Sequence, residues 1–216
     1  LGVNDFRSSD FFITHSHNDH MELLVDLDLR FSKVYCHRLS ADMFMYGHED
    51  DFKKKIKHFA LINGFPKNIV EKALGLIPLN KAHSKVIDYN IVESGSTILV
   101  GDYFFKCYDA PGHAVDHLIL HDNKHKLLFT GDHISLYNPQ ISIREFGIDL
   151  LSDYLSSLEN LNRLPVNLIL PFHKSAFTNF TERVNSILTY YEDRLNEVMV
   201  LLRKNHLNAY QIASGL

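Results

Sequence analysis

The stretch FFITHSHNDH, residues 11–20, places His15, His17, Asp19 and His20 within six positions, directly behind a short apolar run. The run FFIT reads as a strand. In an extended backbone His15 and His17 point the same way, and Asp19 and His20, on the turn that follows, face a second position close by. Burying three imidazoles and a carboxylate together leaves donors and acceptors unsatisfied unless a cation joins them. The stretch therefore predicts a metal cluster at the end of a strand.

Three later segments share that placement: APGHAVDH with His113, FTGDH with Asp132 and LPFHK with His173 each follow an apolar run. Ligands on strand-end loops converge when the strands lie side by side in one sheet. Taken singly, PGH and TGDH are ordinary turn sequences; beside the first cluster they become ligand candidates. Five histidines and two aspartates are too many for one tetrahedral ion and the right number for two, and imidazole with carboxylate suits zinc, manganese or iron. Asp132 is the natural bridge, because a carboxylate shared between ions ~3.5 to 4 Å apart is a common dinuclear geometry. Of the remaining histidines, His117 and His133 are candidates for orienting the ligands or for the surface. His48, His58, His83, His121, His125 and His206 are read as structural.

The background is that of a soluble globular chain: 216 residues, 45% hydrophobic, 22% charged, net charge -4. A chain without a general basic field speaks against nucleic acid as the main partner, and the one dense basic run, KKKIK at 53–57, reads as a solvated helix face. Two cysteines, Cys36 and Cys107, make no disulfide framework and read as reduced, packed thiols of a cytoplasmic protein. No apolar run approaches the ~20 residues that cross a bilayer. The opening LGVNDF lacks a methionine and suggests a fragment.

Periodicity predicts KVYCH (33–37) as a second strand, MELLVDLDLRF (21–31) as a helix, and two helices over about 49–75, with Phe52, Ile56, Phe59, Ala60 and Ile62 at helical spacing and a break at Gly64 and Pro66. STILV, YFFKCYDA, HLILHD and KLLFTGD read as strands between turns, followed by a helix at about 149–162 and the strand VNLILP. A long helix from about 181 to 204 carries one apolar stripe: Val184, Ile187, Leu188, Tyr191, Leu195, Val198 and Leu202.

With H-x-H-x-D-H at 15–20 and then His113, Asp132 and His173 in that order, the chain resembles the metallo-β-lactamase superfamily over nearly its whole length. The resemblance implies an αββα sandwich of the α/β class with a dinuclear site at one edge. One metal would take His15, His17 and His113, the other Asp19, His20 and His173, with Asp132 bridging. It implies a metal-binding domain over 1–176, a helical insertion at about 49–75, and a C-terminal helical extension over 177–216 that begins a winged-helix-like segment. The insertion, the stretch YNPQIS and the long helix are similar to a hydroxyacylglutathione-hydrolase-like branch. The family's first strands, with a D-x-G turn, are expected before residue 1. The last ligand usually sits in P-G-H-G, whereas this chain has PFHKS, and Phe172 would resist a glycine-only backbone conformation.

The implied reaction is hydrolysis of an ester, thioester, lactone or related bond in a small-molecule substrate by a hydroxide shared between two divalent metal ions, zinc first, with Asp19 catalytic in holding the nucleophile and managing its proton. Tyr137 is a candidate oxyanion partner and Lys174 a candidate contact for an anionic substrate. Three alternatives stay open: a mononuclear iron oxygenase of the persulfide-dioxygenase kind, a ribonuclease, and a drifted, non-catalytic metal-binding protein. No membrane partner is expected, and a homodimer through exposed helices is left open.

Overall fold

A computed structural model of the chain describes residues 9–27, 29–30, 32–46, 49–76, 87–142 and 147–216. The opening LGVNDF, and His48 and His83 with their structural reading, lie outside the described residues, as does the side chain of Phe52. In chain order the elements are β1 (Phe11–Phe12), α1 (Asn18–Met21), α2 (Leu23–Asp26), β2 (Val34–Cys36), α3 (Arg38–Tyr46), α4 (Glu49–Ile62), α5 (Lys67–Leu76), β3 (Tyr89–Ile91), β4 (Thr97–Val100), β5 (Tyr103–Asp109), β6 (Leu118–Asp122), β7 (Leu127–Gly131), α6 (Leu150–Leu161), β8 (Leu168–Pro171), α7 (Phe180–Lys204) and α8 (Ala209–Gly215). They fall into two compact units, one of residues 1–47 and 80–184, the other of 48–79 and 185–216.

The first unit is an α/β sandwich of two sheets. One is parallel, in the order β1-β2-β3, and the other runs β4-β5-β6-β7-β8, antiparallel except for its last pair. Strand alternation makes the first sheet two-faced. Phe11, Val34 and Cys36 belong to a core with Met21, Leu24, Ala41 and Phe44 on the helical side. Phe12 and Tyr35, one residue out of phase, pack instead against Ile98, Phe105, Cys107, Leu118 and Leu120 between the sheets. The central strand β6 is buried at every position. Its polar residues are satisfied: His121 Nε2 lies 3.0 Å from the Pro165 carbonyl, and Asp122 accepts from the backbone N–H groups of Phe104 and His125. Helix α6 starts at an Asp149 cap whose side chain accepts from the Ser152 N–H, and buries Leu150, Tyr154, Ser157, Leu158 and Leu161 at helical spacing.

The second unit is helical. Gly64, at φ 86, turns the chain between α4 and α5. Asn208 and Gln211 form a reciprocal capping box that starts α8. The Tyr210 N–H donates to the Asn63 carbonyl at 3.2 Å, and the rings of Phe65 and Tyr210 meet edge-on at 5.3 Å. Of the expected stripe on α4, Ile56 is buried while Phe59 and Ile62 are exposed. On the long α7 helix Val184 and Ile187 are buried, and Leu195 and Leu202 lie exposed further along.

The run 21–31 is not one helix: α1 and α2 are single turns, and Leu27 is already extended at φ -80, ψ 145. The reason is visible in VDLDL, where apolar residues recur every second position rather than at helical spacing. Among the described residues no helix is long and apolar enough to cross a membrane.

Candidate metal centre

The seven side chains singled out in the sequence come together at the strand ends of the first unit. Just beyond β1, the Ile13 N–H donates to the Tyr35 carbonyl and the Thr14 carbonyl accepts from Leu118 N–H, both at 2.8 Å, so residues 13–14 are pinned between the two sheets. His15 leaves that clamp fully buried. The Thr14 hydroxyl lies 3.0 Å from His15 Nδ1 and 3.2 Å from His20 Nδ1. With its two lone pairs it can accept an N–H from both rings, which leaves both Nε2 atoms as lone-pair donors toward the site.

Two groups result: His15, His17 and His113, and Asp19, His20, Asp132 and His173, with the ligand atoms of each lying within 4.8 Å of one another. In the first, His17 Nδ1 stands 2.9 Å from His15 Nε2 and 3.0 Å from His113 Nε2. In the second, His173 Nε2 is 3.0 Å from Asp19 Oδ2, and Asp132 Oδ2 is 3.4 Å from His20 Nε2 and 3.5 Å from His173 Nε2. Asp132 Oδ2 also lies 3.5 Å from His113 Nε2, so it borders both groups. Nitrogen and oxygen ligands ~2.0 to 2.1 Å from a tetrahedral ion stand roughly 3.3 Å from one another, the scale of these separations. His20 Nε2 and Asp132 Oδ1 are buried without a hydrogen bond, and the 3.4 Å approach of His20 to Asp132 Oδ2 is not aligned as one. Buried polar atoms left so are costly, and a cation facing them removes the cost. The donor set fits two metal ions.

The electrostatics agree. Burial above all, and then the neighbouring imidazoles His117, His20, His17 and His113, keep His15 neutral far below its ordinary range. Burial also lowers His113, against the opposing pull of the Gln140 carbonyl and Asp132. For Asp132 burial acts upward, but contacts with His20, His113 and His173 outweigh it and hold the carboxyl below its usual value. Neutral imidazoles and an ionised carboxylate are the forms that bind metal.

Supporting contacts fix the geometry. His113 Nδ1 lies 2.9 Å from the Gln140 carbonyl, to which it donates, leaving Nε2 free to ligate. His117 stacks on His15 at 4.8 Å, and its Nε2 accepts the backbone N–H of Asp132 at 3.1 Å, so it orients the bridge candidate. His133 is buried with Nε2 2.8 Å from Ser157 Oγ, whose own proton goes to the Tyr154 carbonyl, and burial pushes its pKa down to about 3. Two glycines make the turns tight. A Cβ on Gly131, at φ 50, would meet His117 Nε2 at 2.7 Å, and one on Gly112, at φ 139, would meet Tyr154 at 2.6 Å. Arg183 holds the loop beyond Asp132, donating to the Ser135 carbonyl at 2.6 Å and to Asn138 Oδ1 at 2.9 Å. His58 and His206 are exposed, and His121 and His125 bond to Pro165 and Asp122; among the described residues none of them joins either ligand group.

At PFHKS the loop avoids a glycine-only conformation at Phe172, as its side chain requires. Phe172 is not in the left-handed region; the positive angle falls on Lys174, at φ 76, because the loop turns after the histidine rather than before it. Phe172 N–H donates to the Gly131 carbonyl and its ring covers His20 at 3.9 Å. His173 is kept in the site. Tyr137 is 64% exposed, with Lys174 Nζ 5.4 Å from its ring centre. Thr14, Gln140, Ser157 and Arg183 carry no sequence signal of their own, and PGH and TGDH by themselves signal only turns.

Comparison with known proteins gives one family model, Metallo-beta-lactamase superfamily, matching residues 2–173. Among curated proteins the chain is similar to a Beta-lactamase-like protein 2 homolog of Caenorhabditis elegans, 25% identical over 54% of this chain and 38% of that one. It is also similar to Lactamase-like protein nscB of Arthroderma gypseum, 24% identical over 79% of this chain and 53% of that one. The chain thus spans about half or less of the curated relatives it matches. Among solved structures, a metallo-beta-lactamase family protein of Thermus thermophilus aligns with a TM-score of 0.75 at 20% identity, covering 94% of this chain and 67% of that one. A beta-lactamase domain protein of Burkholderia ambifaria gives 0.72 at 20%, covering 94% and 62%. At these identities the structures speak for the fold.

Proposed function

The chain belongs to the metallo-β-lactamase superfamily, and from that premise we propose that it is a dinuclear metal-dependent hydrolase of ester, thioester or related bonds. The observation that carries the reading is Asp132 Oδ2, which lies 3.5 Å from His113 of one ligand group and 3.4 and 3.5 Å from His20 and His173 of the other. His15, His17 and His113 would hold one ion and Asp19, His20 and His173 the second, with Asp132 between. Two divalent cations there, zinc first and manganese or iron as alternatives, supply Lewis acidity and a nucleophile from water near neutral pH.

The rest falls to the chain. Asp19 is 54% exposed at the side chain, with Oδ2 3.0 Å from His173 Nε2. It is thus a carboxylate at the open side of the site, able to orient the attacking water, take its proton and return it to the leaving group. The buried His15 closes the opposite side to bulk water. The insertion α4–α5 and the long α7 support placement near the hydroxyacylglutathione-hydrolase-like branch.

The two groups differ in exposure: His15 is fully buried, whereas the side chains of His173 and Asp19 are 51% and 54% exposed. That asymmetry favours one second reading, a single iron and oxygen chemistry of the persulfide-dioxygenase kind. Elemental analysis of protein purified without chelators or a histidine tag separates the two. Near two equivalents of zinc or manganese, with hydrolysis of simple thioesters or esters, is expected. One iron per chain moves the assignment to the oxygenase, and no metal after reconstitution means a drifted site.

A further inference from the structure

The loop that carries His173 combines three features. Lys174 sits in the left-handed region at φ 76, where a side chain is strained and glycine is the ordinary occupant. Its ammonium rests 5.4 Å from the centre of the Tyr137 ring, a cation–π contact. Strain of this kind clusters where function requires a particular side chain. Both partners are held by the site itself. Lys174 directly follows His173, in a loop hung on the Gly131 carbonyl by Phe172 N–H at 3.0 Å. Tyr137 stands five residues past Asp132, in a loop that Arg183 clamps at Ser135 and Asn138. Tyr137 and Phe172 are 64% and 53% exposed, so the charge rests on an aromatic face open to solvent.

We propose that Lys174, seated on Tyr137, is a specificity-determining residue that binds a second, anionic group of the substrate, so that the enzyme takes esters or thioesters bearing a free carboxylate beyond the bond that is cleaved. The proposal rests on the hydrolase reading above. The aromatic face holds the flexible lysine stem in place before substrate arrives, and the short distances along the chain from Lys174 to His173 and from Tyr137 to Asp132 tie the pair to the reacting centre. A charge-assisted ammonium–carboxylate hydrogen bond is worth about tenfold in affinity. Phe172 and Tyr137 accommodate the apolar part of such a molecule.

Two measurements on the metal-loaded protein test this. The first compares kcat/KM for p-nitrophenyl hemisuccinate and p-nitrophenyl butyrate. The second compares binding of glutarate and butyrate by calorimetry, which needs no turnover. The wild type is expected to prefer the dicarboxylic member of each pair, and Lys174→Gln to reduce both preferences about tenfold, carried by KM in the first. Lys174→Gly, which relieves the backbone strain while removing the charge, is expected to lose the preference equally and keeps the test valid if the glutamine variant folds poorly. Lys124→Gln, in the turn between β6 and β7, should change neither ratio. Hydrolysis of both esters with ratios unaltered in the Lys174 variants overturns the proposal and leaves the hydrolase reading intact. No hydrolysis, but a Lys174-dependent preference for glutarate, overturns the hydrolase and keeps the anion subsite. Displacement of glutarate by a short RNA with steep salt dependence overturns the small-acid reading in favour of a polyanion.

Discussion

Replacing His117 with leucine removes one hydrogen-bond acceptor from behind the proposed bridge. His117 Nε2 accepts the Asp132 N–H at 3.1 Å, and the ring is buried and stacked on His15. Leucine fills similar space but leaves that N–H without a partner in the interior, a cost of about 2 kcal/mol. For a protein of this size the same loss lowers the melting temperature by roughly 4 to 8 °C. Asp132 then loses its fixed backbone, and loss of such outer support weakens metal binding 10- to 100-fold as an order of magnitude. Two assays read the effect: zinc affinity by competition with a chromophoric chelator, and urea unfolding of the metal-free protein. His117→Gln, whose amide oxygen reaches a similar position, should recover much of the affinity. If the leucine variant holds zinc within about twofold of wild type, and glutamine does no better, then His117 does not position Asp132 and the argument fails.

Asp132→Asn should cut metal content in both ligand groups together, whereas His58→Ala, on the exposed face of α4, should leave metal and turnover unchanged; elemental analysis of both variants checks this. Gly131→Ala would force a Cβ to within 2.7 Å of His117 Nε2 at a backbone φ of 50, and should destabilise the fold by about 2 kcal/mol or more while loosening metal, read by thermal melts with and without zinc. Acid should destabilise the metal-free protein through its buried histidines. The unfolded chain takes up protons near pH 6.5, whereas burial holds folded His133 neutral down to about 3 and lowers His15 and His117 as well. The unfolded state therefore binds more protons as pH falls below about 6.5, stability declines by up to about 1.4 kcal/mol per pH unit per group, and none of this loss occurs above that pH. Urea midpoints measured from pH 8 to 5 that stay flat would refute it. Leu118→Ala, at a fully buried position of β6, should cost about 3 kcal/mol in the same assay.

What could be read from sequence was what depends on local chemistry. H-x-H-x-D-H is dense enough in ligands to declare itself, and HLILHD and KLLFTG announce strands because each is a continuous apolar run between turns. Helix α3 and strand β3 carry no such signal. RLSADMFMY buries only Ser40, Ala41 and Phe44, and YNI is three residues long, so neither repeats a period often enough to be seen. The two parallel pairings of the first sheet join segments remote in sequence, such as Cys36 with Ile91, and no local pattern encodes them. The same holds for the site's outer supports: Thr14 and Arg183 matter because of where the fold brings their partners. PFHKS was legible as a departure, but the residue bearing the unusual backbone angle was not, since the direction of a turn is set by what the loop is hung on.

The spread of the ligands along the chain bears on biosynthesis. His15, His17, Asp19 and His20 leave the ribosome first, His113 follows, and His173 appears only 60 residues after that. At about 5 to 20 residues per second that last interval is roughly 3 to 12 s. On the proposed ligand set, the three-histidine group can close on a cation while the second group is still without its final imidazole. β8, which delivers His173, is also the edge strand that completes the larger sheet. Loading should accordingly be ordered in time: a nascent chain stalled with residue 125 outside the exit tunnel should retain one cation, and only release of the region beyond β8 should admit the second.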